Sequence, residues 1–189
     1  AGTPELREAI AEKLRRENGL DVTAAQVLCS NGAKQSVAQA LLAVCRPGDE
    51  VVVPAPYWVS YPEMVRLAGA EPVELAADAA SDYKITPDQL DAALSERTRA
   101  VILNSPSNPT GAVYSRAEQE ALAAVLRRHP HVVVISDEIY EYVVFDADFV
   151  SFASLDGMGE RTVTVNGFSK GYAMTGWRLG YLAGPAWLV

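Results

Sequence analysis

Lys170 and Arg178 stand eight positions apart in the run Asn166-Gly-Phe-Ser-Lys-Gly-Tyr-Ala-Met-Thr-Gly-Trp-Arg-Leu-Gly180, just beyond an apolar stretch. A lysine held at the end of a strand, with cations near it and partial burial to lower its pKa, is suited to form an imine with a carbonyl compound. An arginine nearby is suited to a phosphate, whose oxygens its planar fork matches. The pair suggests pyridoxal phosphate, an aldehyde that carries a phosphate. A lysine by itself would read as a solvated surface charge.

Other segments supply groups that such a ligand needs. Asn31-Gly-Ala-Lys34 follows an apolar run and opens a helical one, so the amides of Gly32, Ala33 and Lys34 would point from the positive end of a helix toward an anion. Taken alone, Gly32 reads as a turn residue. Pro54-Ala-Pro-Tyr-Trp58 is a rigid turn bearing two aromatics; Trp58 is the candidate to stack on a flat ring, and Tyr57 reads as packing. Asn104-Ser-Pro-Ser-Asn-Pro-Thr-Gly111 is rich in turn formers, with Asn104 read as structural. Asp137, at the end of the apolar run Val132 to Ser136, would be a costly buried carboxylate unless a cation met it. A protonated pyridine nitrogen is one such cation, and the alternative is a helix N-cap.

The run around Lys170 resembles the cofactor-lysine signature of class I and II aminotransferases, in which a small residue stands three before the lysine and an arginine eight after it. Gly167, Ser169, Lys170, Ala173, Met174, Gly176, Arg178, Leu179 and Gly180 all fit. The resemblance implies pyridoxal 5'-phosphate as cofactor and assigns roles to the matching positions. Lys170 would hold the cofactor as a Schiff base and act as the base, and Asp137 would pair with its ring nitrogen. Asn108 and Tyr140 would donate to its phenolic oxygen, Trp58 would cover its ring, and Arg178 with the Gly32-Ala33-Lys34 turn would bind its phosphate. Glu138 is given no catalytic part. The likeness extends to the bacterial aspartate and prephenate aminotransferase branch in Pro56-Tyr-Trp-Val-Ser-Tyr-Pro-Glu-Met64 and in Ala173-Met-Thr-Gly-Trp-Arg178. It implies an amino acid and a 2-oxo acid as substrates, with aspartate and 2-oxoglutarate favoured.

The elements that must position these residues alternate along the chain. Thr3-Pro4-Glu5 starts a helix that carries Leu6, Ile10 and Leu14 on one face and ends at Gly19. Strands are expected at Val27 to Ser30, Glu50 to Pro54, Pro72 to Leu75, Ala100 to Asn104, Val132 to Ser136, Thr162 to Asn166 and Leu179 to Ala183. Helices are expected over about Lys34 to Val44, Ser60 to Leu67, Pro87 to Leu94 and Ser115 to Arg127. Alternation of this kind predicts an α/β protein, three layers α/β/α around a mostly parallel sheet. In such sheets ligands sit beyond the carboxyl ends of the strands, where the polar residues above fall. The resemblance places the whole of residues 1–189 in the large domain of the aspartate aminotransferase fold, as a pyridoxal-phosphate-binding fragment. An N-terminal arm and a C-terminal small domain are the expected missing parts, and the family's homodimer has its site at the subunit interface, so residues 1–189 alone are expected to bind cofactor with little or no turnover.

Of 189 residues, 49% are hydrophobic, enough for one sizeable core and a single domain. Lys plus Arg number 16 against 24 Asp plus Glu, a net charge of −8 with the basic residues scattered, which argues against nucleic acid. No apolar run reaches a membrane span and Ala1-Gly-Thr-Pro-Glu5 is not signal-like, so a cytoplasmic protein off the membrane is expected. Cys29 and Cys45 lack metal-ligand spacing and read as structural thiols; metal is assigned no role. Three other readings compete. A β-lyase would share the same large domain, and a non-catalytic cofactor-binding fragment would keep it without turnover. Nucleotide binding at Asn31 to Lys34 lacks the full phosphate-loop spacing.

Overall fold

A computed structural model describes residues 1–189, and its elements follow the alternation. Helix α1 (Pro4–Asn18) has Thr3 as N-cap, accepting from the Leu6 amide, and Gly19 as left-handed C-cap. Then come β1 (Val27–Ser30), α2 (Ala33–Val44), β2 (Glu50–Ala55), α3 (Ser60–Leu67), β3 (Glu71–Ala76) and α4 (Pro87–Ala93). The chain continues through β4 (Thr98–Asn104), α5 (Arg116–Arg127), β5 (Val133–Asp137), β6 (Thr162–Gly167) and β7 (Gly180–Ala183). Ser115 and Thr86 cap α5 and α4 with full capping boxes, which fixes where those two helices begin.

The seven strands form one sheet in the order β1-β7-β6-β5-β4-β2-β3. β7 runs antiparallel to both its neighbours, and the other pairs are parallel. The expected mostly parallel sheet is therefore present, with one reversed strand inside it.

Because strand side chains alternate between faces, the continuously apolar strands feed two cores. Val51, Val53, Ala100, Ile102, Ile135 and Leu182 pack under α2 and α3. On the opposite face Val52, Val101, Leu103 and Val134 pack under α4 and α5. There α1 lays Ile10, Ala11 and Leu14 on Val27, Tyr181 and Ala183. The three layers follow from this division. No helix is long and apolar enough to cross a membrane.

The parallel strands β2, β4, β5 and β6 end at the same edge of the sheet, and the reversed β7 begins there, with Gly180 opposite Gly167. Register sets Asn104, the last residue of β4, directly beside Asp137, the last of β5. This edge collects the polar residues that follow the strands.

Candidate active site

One cleft at that edge is lined by Ala33, Lys34, Trp58, Asn108, Asp137, Tyr140, Lys170 and Arg178. These are eight of the nine residues singled out from sequence, and the ninth, Gly32, lies directly against the Arg178 guanidinium. Tyr61, Asn104, Ile139, Ser169 and Thr175 complete the lining.

Asp137 forms the buried end. It is the last residue of β5, 4% exposed, so it is part of the strand and precedes no helix, contrary to the N-cap alternative. Its carboxylate accepts from the Tyr61 hydroxyl at 2.7 Å and from the Ile139 amide at 3.3 Å. Burial pushes its pKa up to about 6, and those two donors hold it down against that. Its surroundings include no cation of the protein that would lower it further. The Asn104 amide donates to the Asp137 carbonyl at 2.8 Å and its oxygen accepts from the Asn108 amide at 2.8 Å. Asn104 thus ties the turn carrying Asn108 to the strand carrying Asp137, the structural part expected of it.

Asn108 and Tyr140 are brought together, the Asn108 side-chain amide standing 3.5 Å from the Tyr140 hydroxyl. The Lys170 ammonium lies 5.6 Å from the centre of the Tyr140 ring. Lys170 itself is exposed, which corrects the expectation of partial burial: the loop leaving β6 lifts it off the sheet. Trp58 meets Tyr61 edge-on at 5.5 Å, and the Lys34 ammonium stands 4.7 Å from the centre of the Trp58 ring. Lys34 therefore contributes more than a backbone amide to this region.

The open end is built on glycine. Gly32, the N-cap of α2, has φ +90°, and a Cβ there would come 2.5 Å from Arg178 Nη2. A Cβ on Gly180 would come 2.5 Å from the carbonyl carbon of Gly32. Only glycine lets β7 and the guanidinium approach the start of α2 this closely. Arg178 adopts φ +52° and donates to the Thr175 carbonyl at 2.9 Å. An arginine and the free amides of a helix start so arranged can hold a phosphate.

Tyr61, like Ile139 and Thr175, lines the cleft without having been singled out by the residue pattern, and it is the one of the three whose side chain donates to Asp137. It lies three positions after Trp58 at the start of α3, 3% exposed, where an aromatic reads as core. Glu138, also set aside, is wholly buried. Its Oε1 accepts from Ser136, Ser151 and the Phe152 amide, which pins the segment after β5.

The sequence model for aminotransferase class I and II matches residues 1–189. The chain belongs to that family, whose members depend on pyridoxal phosphate. It is 61% identical over 186 residues to the bifunctional aspartate aminotransferase and glutamate/aspartate-prephenate aminotransferase of Petunia hybrida, covering 98% of this chain and 39% of that protein. Against the aspartate/prephenate aminotransferase of Cereibacter sphaeroides the identity is 56%, over 100% of this chain and 48% of that one. The crystal structure of the aspartate aminotransferase from Rhizobium meliloti superposes with a TM-score of 0.97 at 50% identity, covering 99% of this chain and 47% of that one. The Thermus thermophilus aspartate aminotransferase with maleate gives 0.96 at 47% identity, covering 100% and 48%. The chain thus spans less than half the length of these relatives.

The cleft fits pyridoxal phosphate on its own chemistry. A buried carboxylate without a cation suits a protonated ring nitrogen, and the glycine-built cradle beside Arg178 suits a phosphate.

Proposed function

We propose that this chain is the cofactor-binding part of a pyridoxal-phosphate-dependent aminotransferase that moves an amino group from an amino acid to a 2-oxo acid, with aspartate and 2-oxoglutarate as the pair. The observation that carries the reading is the meeting, in one cleft, of an exposed lysine amine, a buried carboxylate without a cation and an arginine seated on glycine. That the relatives are aspartate and aspartate/prephenate aminotransferases supports aspartate as the donor.

Bound pyridoxal phosphate would supply an aldehyde to attach to an amine and a ring that draws electrons from the carbon bearing the amino group. Lys170 Nζ would be the attachment point and, as a free amine, would take the proton from the substrate's Cα. Asp137 keeps a proton on the ring nitrogen, and Tyr61 orients the carboxylate for this. Asn108 Nδ2 and the Tyr140 hydroxyl donate to the phenolic oxygen. Arg178 and the amides of Gly32, Ala33 and Lys34 would hold the phosphate, and Trp58 would cover the ring.

A homodimer is part of the proposal, with the exposed Val59, Phe145 and Trp177 offering apolar surface to a second copy. So is a cytoplasmic setting, which accords with two free cysteines, Cys29 and Cys45. Residues 1–189 are taken as the large domain, the relatives' remaining length supplying the rest of the substrate site.

The test mixes the protein with pyridoxal phosphate, records the visible band, reduces with borohydride and maps the modified peptide. Label at Lys170, and its loss with all turnover in Lys170→Ala, is the expected result. Normal transamination by Lys170→Ala would sink the assignment. Ammonia and pyruvate formed without any 2-oxo acid acceptor would indicate a lyase instead.

A further inference from the structure

The loop that carries Lys170, between β6 and β7, holds only one short 3-10 turn (Thr175–Trp177), and most of its hydrogen bonds close on itself. Ala173 N bonds to the Lys170 carbonyl, Met174 N to that of Phe168, and the Thr175 hydroxyl to that of Ser169. Such bonds fix the shape of a loop and leave its placement to outside contacts. Tyr140 meets the lysine's ammonium, and the outside contact of the backbone that follows it is Tyr142. A Cβ on Gly171 would lie 2.5 Å from Tyr142 Cδ2 and 3.3 Å from both its Cβ and Cγ, so the backbone after Lys170 lies directly against the Cβ–Cγ–Cδ2 side of Tyr142. Gly171 is not among the residues with positive φ, so its backbone makes no demand for glycine. The need is the close approach alone.

Tyr142 is in turn held by α1. Its hydroxyl donates to Glu17 and stands 3.4 Å from that of Tyr172, whose ring meets it edge-on at 5.6 Å. The neighbouring Glu141 is buried and receives both Lys13 and, at 2.7 Å, the Asn18 side-chain amide. The Lys13 ammonium also lies 5.1 Å from the centre of the Tyr142 ring. The last turns of α1 therefore grip Glu141 and Tyr142, which directly follow Tyr140, and through Tyr142 they support the residue that directly follows Lys170.

We propose that Tyr142 is a positioning residue for Lys170, a floor set by the end of α1 that fixes where the lysine amine stands relative to the cleft. This rests on the reading of Lys170 as the attachment point. A shift of about 1 Å at a reacting group can cost up to about a hundredfold in rate. Support lost under Gly171 would thus appear in attachment and leave phosphate binding at Gly32 and Arg178 intact.

The experiment compares two ligands in the protein and in Gly171→Ala, Tyr142→Phe, Tyr142→Ala and the double variant Gly171→Ala/Tyr142→Ala. Pyridoxine 5'-phosphate, which has no aldehyde, reports binding without attachment; pyridoxal 5'-phosphate trapped with borohydride reports the rate of attachment at Lys170. The expectation for Gly171→Ala is attachment slowed roughly tenfold or more while the affinity for pyridoxine phosphate changes by less than about twofold. Tyr142→Phe keeps the ring and should slow attachment by no more than roughly threefold. If Gly171 and Tyr142 act through one contact, the double variant loses no more than Tyr142→Ala alone.

Attachment at the parent rate in Gly171→Ala overturns the proposal. So does a double variant whose loss is the product of the two single losses, and so does a Gly171→Ala protein that loses affinity for both ligands together. Failure of the parent protein to label at Lys170 would instead bring down the attachment reading itself, and this inference with it.

Discussion

At one end of the cleft Arg178 is exposed and lies against the backbone of Gly32; at the other Asp137 is buried under Tyr61 and the end of β5. Both ends suit a charge, but by different physics. The open end offers an exposed cation and fixed backbone dipoles in contact with water, where each interaction is modest and screened by salt. The buried end keeps a carboxylate out of water with two hydrogen bonds, so its charge is costly until a cation joins it. Binding energy at the first end depends on shape. At the second it depends on protonation.

The sharpest way to break this comparison is Asp137→Asn. In the full-length enzyme, loss of the ring-nitrogen partner should lower turnover by about a thousandfold, a magnitude typical of losing a charge-stabilising group, as steady-state kinetics would show. The same variant tests the burial cost. Asp137 has a folded-state pKa raised to about 6 from an ordinary 3.8, so folding favours its protonated form. That contribution is fully present below pH 3.8 and is lost as the pH rises through 6. Asp137→Asn should therefore stabilise the cofactor-free protein by about 3 kcal/mol at pH 8 and little at pH 4, as read from urea unfolding at the two pH values. Equal effects at both would mean that the carboxylate is solvated.

Gly180→Ala attacks the open end instead. The new Cβ would meet the backbone of Gly32 and Ala33, which has no side-chain rotamer to yield, so a loss of about 3 kcal/mol in stability is expected. Binding of pyridoxine phosphate, measured by calorimetry, should fall with it.

Tyr61→Phe sharpens the buried end. Removing a hydroxyl that donates to a carboxylate costs about 2 kcal/mol. Here the cost should appear as a decline in cofactor-free stability that still begins near pH 3.8 but runs on to a higher pH before levelling off, because the ionised form loses a donor. A decline that levels off at an unchanged pH would show that the Ile139 amide alone sets the titration. Arg178→Lys is the mildest change. It keeps the charge and loses the fork, and should weaken pyridoxine phosphate binding by about tenfold, more at low salt than at high.

The fold was legible because its signals are local. Ser60 to Leu67 reads as a helix from its spacing and is one, with Tyr61, Pro62, Met64 and Val65 inward. Thr3 and Gly19 mark both ends of α1. The site was legible where a residue type is unusual for its place, as with Asp137 after an apolar strand. It was not legible where it depends on register or packing. Tyr61 looks like any inward-facing helical aromatic, and only the sheet's geometry brings its hydroxyl to Asp137. Asn104 beside Asp137 follows from the offset of two parallel strands 33 positions apart, which no local pattern encodes. Partial burial of Lys170 is expected from its place just beyond an apolar strand, whereas β6 ends at Gly167 and the loop leaves the sheet before the lysine is reached.

The reversal of β7 has a consequence for inheritance. A parallel strand would have to return to the far edge of the sheet through a long crossover, separating its residues from those of β6. As built, Gly167 and Gly180 face each other, and the lysine and the arginine ride on the single connection between them. The two groups can neither drift apart by insertion elsewhere nor be acquired one at a time by exchange of neighbouring segments. A graft of this one hairpin would carry both, and a deletion within it would remove their spacing at a stroke.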